Sequence, residues 1–189
     1  MADVPNQFAL KNEHTTYVLI VEEKELYVNK KLLSMHSTFF ANCLSGGLIV
    51  DDIAKLSLDV DYEHFVDLLN VIYPGFTKIT VSTYKHILIL ADKYLMLDAL
   101  DQIEQFLLKT KKVENEEKLI LAVKYHLQKL EDHCIDSFSC IDEIRALIAL
   151  PEYANFVQGT KYAIRCRVMA LLQGHSGDHT CVCHTNDVA

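Results

Sequence analysis

The sequence predicts an α+β domain giving way to an all-α extension, and three observations carry that prediction. A β-branched apolar run near the start is answered by a second one, apolar residues then recur at helical spacing from residue 30 onward, and an almost wholly polar joint at 109–117 separates two helical stretches. Half of the 189 residues are apolar, with only 6 glycines and 3 prolines, the composition of a folded chain able to bury a sizeable core.

The elements follow in order. Tyr17 to Val21 is continuous, apolar and β-branched, and across the polar Glu22 to Glu25 it is answered by Leu26-Tyr27-Val28, which reads as a hairpin. Between Lys30 and Leu44 the apolar positions are interrupted near His36-Ser37, which predicts two short helices with Ser37 capping the second. Leu56 to Leu58 reads as a short strand. Tyr62, Phe65, Val66, Leu69, Ile72 and Tyr73 then share a helix face, with Asp61 placed to accept the first free backbone N–H groups and Pro74-Gly75 ending the helix. One helix is expected behind Thr80, burying Tyr84, Ile87, Leu88, Ala91, Tyr94 and Leu95, and another carries Leu97, Leu100, Ile103, Phe106 and Leu107.

Beyond the joint, Asn115 with Glu116 and Glu117 makes a helix start, acidic groups lying at the positive end of the helix dipole. Four or five short helices are expected through Leu172, then a polar, disordered tail. The expected organisation is an N-terminal segment over 1–15, the α+β domain over 16–109, the helical extension over 113–173 and the tail over 174–189. No internal repeat at solenoid periods is read from the sequence.

Net charge is −8, and residues 1–110 hold 9 Lys+Arg against 15 Asp+Glu, a balance that repels phosphate backbones and argues against nucleic acid as a partner. No apolar run reaches the roughly 18 residues of a membrane span, and the start has no basic-then-apolar leader, so the chain is expected to avoid membranes. The 6 cysteines have no disulfide-framework spacing, and reduced thiols in the cytoplasm or nucleus are expected.

Candidate chemistry is sparse. His36 has no nucleophile with a flanking base and oxyanion glycines beside it, so it reads as a capping or core-edge histidine. Ser45-Gly46-Gly47 lacks the Lys-Ser/Thr that a phosphate cradle needs. His175, His179, Cys181, Cys183 and His184 offer zinc-type donors, but the C-x-C-H run has no second ligand pair at structural-site spacing. Neither a catalytic constellation nor a metal or cofactor site is assigned.

The segments VLIVEEKELYVNKKLLSMHSTFF, KLSLDVDYEHFVDLLNVIYP and ITVSTYKHILILADKYLMLDALDQIEQFLL, in that order over about residues 7–108, resemble a BTB/POZ domain in the form common in nematode BTB-only and MATH-BTB proteins. Residues 113–172, with LPEYANF and its trailing helix, are similar to a short BACK or 3-box extension. The resemblance implies a BTB/POZ fold, a small sheet capped by a helical cluster. It further implies a homodimer with Leu32, Leu33, Met35, Phe39 and Phe40 facing the other subunit, and a cullin-3 substrate adaptor in a ubiquitin ligase contacting cullin through Leu48, Val50, Asp51 and Tyr94. The family usually carries Asp ahead of the first strand where this chain has Thr16, and Glu in the cullin pattern where it has Val50. A self-assembly module, or one that pairs with other BTB proteins without cullin, is the alternative, and an enzyme is the least favoured class.

Overall fold

The computed structural model describes residues 6–45, 55–73 and 78–174. Strand β1 (Tyr17–Val21) turns into β2 (Lys24–Val28), helices α1 (Lys30–His36) and α2 (Thr38–Ser45) follow, and β3 (Lys55–Leu58) completes a three-stranded sheet of order β2-β1-β3. β1 pairs antiparallel with β2, Tyr17 opposite Val28 and Val21 opposite Lys24, and parallel with β3, Leu19 opposite Leu56. The connection from β1 to its parallel neighbour thus includes β2, which returns the chain, together with the two helices. The hairpin closes through only two residues, Glu22 and Glu23, both left-handed at φ 49° and 62°. Such a primed turn matches the strand twist but usually recruits Asn or Gly, which is why the sequence reading spread the turn over four residues.

Helix α3 (Tyr62–Ile72) begins as expected: the Asp61 side chain accepts the His64 backbone N–H at 2.9 Å, which lowers its carboxyl pKa below the ordinary value. Helix α4 (Tyr84–Lys93) starts later than Thr80, because Thr80 N–H donates to Thr83 Oγ1 at 3.0 Å and the segment first makes a hydroxyl-braced turn. Side-chain bonds of this kind compete with helix for the backbone. Helix α5 (Leu97–Lys109) runs on, and the chain divides into two compact units at 106/107, within α5.

The first unit's core joins both faces of β1 to the helices: Leu19, Leu26, Leu33, Phe40, Phe65, Leu68, Leu69, Leu88 and Met96 are all fully buried. Each such side chain contributes about 1.5–3 kcal/mol relative to exposure. An N-terminal strap is tied down by Asn6 Nδ2 donating to the Tyr62 hydroxyl at 2.7 Å and by Phe8, which stands edge-on to Tyr73 at 4.9 Å.

The second unit contains α6 (Asn115–Lys124), α7 (Gln128–Ser137), α8 (Ile141–Ala149), a 3-10 turn at Pro151–Asn155 and α9 (Gln158–Gly174). Glu114, not Asn115, precedes the first turn of α6, and the Asn115 amide instead donates to the Cys134 carbonyl at 2.9 Å, pinning α6 to α7. At α8 the Glu143 carboxylate accepts the backbone N–H groups of Ser139 at 2.7 Å and Cys140 at 3.2 Å, satisfying two donors at the helix entry. Cys134 is fully buried, and burial pushes its thiol up to about 12.

Candidate functional site: an exposed apolar face at the meeting of α1 and α5

Helix α1 starts because the Asn29 side chain caps the Leu32 N–H at 3.1 Å, and it stops at Ser37. Successive helical residues are rotated by about 100°, so neighbours in sequence separate onto different faces. Leu33 points inward and is fully buried, Leu32 is half-buried, and Met35 stands 71% exposed. On α2, Phe40 is fully buried while Phe39 keeps part of its surface.

Ser37 locks this helix pair to the corner between α4 and α5. Its hydroxyl donates to the Tyr94 carbonyl at 2.6 Å and accepts the Phe40 N–H at 3.0 Å, so one buried side chain both caps α2 and fastens the corner. The Tyr94 ring then sits among Phe40 (5.3 Å, stacked), Phe65 (5.6 Å) and Phe39 (5.3 Å). Burial, with a smaller contribution from Asp59, pushes the Tyr94 hydroxyl up to about 12.

At the surface a polar pair joins the two helices. His36, at the end of α1, places Nδ1 2.7 Å from Asp98 Oδ2 in the first turn of α5. Met35 (71% exposed) precedes the histidine and Leu97 (70%) precedes the aspartate, with Leu95 on the same corner at 51%. A histidine at a helix C-terminus and a carboxylate at a helix N-terminus each suit the local dipole. The pair resembles the Asp-His half of a catalytic relay, yet the Ser37 hydroxyl proton is directed at the Tyr94 carbonyl and not at His36.

The expected subunit and cullin contacts differ in their exposure within this chain. Leu33 and Phe40, two of the expected subunit contacts, are fully buried, and Tyr94, expected to meet cullin, is 2% exposed. Of the expected subunit contacts, Leu32, Met35 and Phe39 retain surface, while Leu48, Val50 and Asp51 lie outside the described residues, as do Pro74-Gly75, Gly46-Gly47 and the Cys/His tail. Sequence reasoning missed Leu97 as a surface residue, because a leucine on an amphipathic helix is more often core.

Elsewhere, His64 and His86 stack at 4.1 Å and 14°, and His86 Nε2 lies 2.8 Å from Asp67 Oδ2. Stacked rings send their lone pairs out in parallel, so the two do not converge on one ion. Among the described residues, no group of three or more His, Cys, Asp or Glu side chains is placed to hold a metal, and no helix is long and apolar enough to cross a membrane.

The BTB/POZ domain family model matches residues 6–111, more than half of the chain. The chain belongs to the BTB/POZ domain family. It is similar to BTB and MATH domain-containing protein 36 of Caenorhabditis elegans, at 30% identity over 168 residues, 88% of this chain and 52% of that protein. It is also similar to BTB and MATH domain-containing protein 38 of the same organism, at 28% identity over 87% of this chain and 43% of that protein. The chain thus spans about half the length of these curated relatives. Among solved structures, the BTB domain of human gigaxonin superposes with a TM-score of 0.43 at 19% identity, covering 49% of this chain and 77% of that one. The BTB domain of zebrafish PATZ1 gives 0.41 at 17%, covering 51% and 77%. BTB/POZ is a protein–protein interaction fold, and the match indicates no catalytic family.

Proposed function

We propose that this BTB/POZ chain is a self-associating interaction module whose docking face is the α1–α5 surface, and that in this state it serves as a cullin-3 adaptor. The observation that supports the reading is that α1 and α5, joined by the His36–Asp98 pair, each display a large apolar side chain, Met35 and Leu97, at about 70% exposure. Large apolar side chains displayed on rigid helices are the kind of residue that an interface core buries. An isologous dimer places the same patch on both partners, so every contact that Met35 or Leu97 makes occurs twice.

Cullin binding rests on the family resemblance and on the corner itself. With the Tyr94 ring buried, Leu95 is the exposed apolar residue of that corner, 51% exposed beside the fixed tyrosine. Light scattering on the purified chain, alone and mixed with a cullin-3 N-terminal domain, tests both parts. A dimer that becomes a 2:2 complex supports the adaptor. A dimer that ignores the cullin removes the adaptor and leaves a module that assembles with itself or with other BTB proteins; a monomer removes the self-association.

A further inference from the structure

Helix α9 is apolar on two sides but packed on one. Ile164 and Leu171, seven residues apart, are buried as α9 packs against α7 and α8. Tyr162 and Met169, also seven apart and about 200° round the helix from that pair, stand 68% and 57% exposed. A helix that is apolar all round is ordinarily covered all round. Beside the exposed stripe a groove of about 510 Å³ runs between α7 and α9, with Asp132, Ile135 and Asp136 on one wall and Ala163, Cys166, Arg167 and Ala170 on the other. The two walls are fastened together: Thr160 Oγ1 donates to Glu131 Oε1 at 2.6 Å, and Arg167 donates Nε and Nη2 to the Phe138 carbonyl at 3.0 and 2.6 Å. The groove is therefore preformed and its arginine is committed to the backbone. Asp132 and Asp136, one turn apart and exposed, leave the lining negative on balance, and the bond Asp132 accepts from Gln128 Nε2 at 2.9 Å does not remove its charge.

We infer that this groove and its stripe bind an amphipathic helix of a partner protein, its apolar row laid along Ala163, Cys166, Met169 and Ala170 and its lysines or arginines turned to Asp132 and Asp136. The occupant is a helix because both walls are helices: an extended segment lying here would find no strand edge to satisfy its backbone groups. The two alanines, seven residues apart, let another helix come close, and residues 163–170 offer about 10 Å of length, two turns of partner. The occupant is basic because a carboxylate on it would meet Asp132 and Asp136 as like charges, which excludes acidic helices, whereas an ammonium or guanidinium is drawn in. This surface shares no residue with the α1–α5 face and does not depend on self-association.

The test selects binders of the purified full chain from a phage-displayed library of helical peptides with randomised surface positions. The recovered peptides are expected to carry apolar residues at i, i+4 and i+7 with Lys or Arg beside them. A fluorescein-labelled representative is expected to lose about tenfold in affinity for the double variant Asp132→Asn, Asp136→Asn, and as much for Met169→Glu, with the circular dichroism of both variants unchanged. No enrichment, an acidic consensus, or an affinity unchanged in either variant overturns the proposal. So does a fall in the sedimenting mass of Met169→Glu on its own, which would make a second copy of the chain the occupant.

Discussion

The two units contain the same corner in different settings. Ala91-Asp92-Lys93-Tyr94-Leu95-Met96 leads from α4 to α5, and Ala122-Val123-Lys124-Tyr125-His126-Leu127 leads from α6 to α7. In each, the tyrosine N–H closes the last helical turn at 2.9 Å, the next residue is left-handed (Leu95 at 52°, His126 at 57°), and the following N–H reaches back to the alanine carbonyl at 2.8 and 2.9 Å. In each, the lysine amine lies over its neighbouring tyrosine ring, at 5.5 and 5.1 Å. The first corner is then clamped by Ser37 and three phenylalanine rings, whereas the second tyrosine is buried with no aromatic partner among the described ring pairs. The same local backbone solution thus becomes a site only where a second element is fastened onto it.

Truncating the tyrosines breaks this comparison most sharply. Tyr94→Ala is expected to cost about 3–5 kcal/mol, the usual range for removing a buried aromatic ring. Tyr125→Ala is expected to cost about 1–2 kcal/mol less, since each favourable ring pair adds about 0.5–1.5 kcal/mol beyond its area. Urea unfolding of the two variants measures the difference, and equal losses would mean that the aromatic clamp adds nothing to the corner.

The clamp also has a pH signature. The Tyr94 hydroxyl ionises at about 12 in the folded chain, against an ordinary value of about 10 when unfolded. A group whose folded pKa is raised gives stability that is present below the unfolded value and is lost as pH rises through the folded one. Stability is therefore expected to fall between about pH 10 and pH 12, and less steeply in Tyr94→Phe; identical alkaline profiles for the two proteins would contradict that assignment.

Ser37→Ala removes one side chain serving two buried backbone groups, and about 1–3 kcal/mol is expected to go with it. The smallest effects come from the left-handed residues. Leu95→Gly is expected to stabilise by about 0.5–1 kcal/mol through relief of its backbone conformation, and His126→Gly by a few tenths, because histidine tolerates that region better than leucine. Thermal melts of the two glycine variants order them.

How far the sequence could be read follows from which interactions are local. The hairpin, the α1–α2 break and the caps of Ser37 and Asp61 were legible because each is signalled within a few residues. The Glu22-Glu23 turn and the left-handed Leu95 and His126 were not, since none carries the glycine or asparagine that usually marks such a conformation. On the candidate face, the apolar spacing located α1 and α2 without saying which side each residue takes. Leu33 and Met35 are both good core residues, and only tertiary packing decides that one is buried and the other displayed.

The most direct test of that face is sedimentation velocity on the double variant Met35→Glu, Leu97→Glu beside the wild type. Both residues are largely exposed, so the helical content by circular dichroism is expected to be unchanged, while the dimer is expected to dissociate to monomer as two unpaired carboxylates enter each half of the interface. A variant that keeps the wild-type helical content and stays dimeric would contradict the account, because the chain would then associate through a surface other than the one formed by α1 and α5.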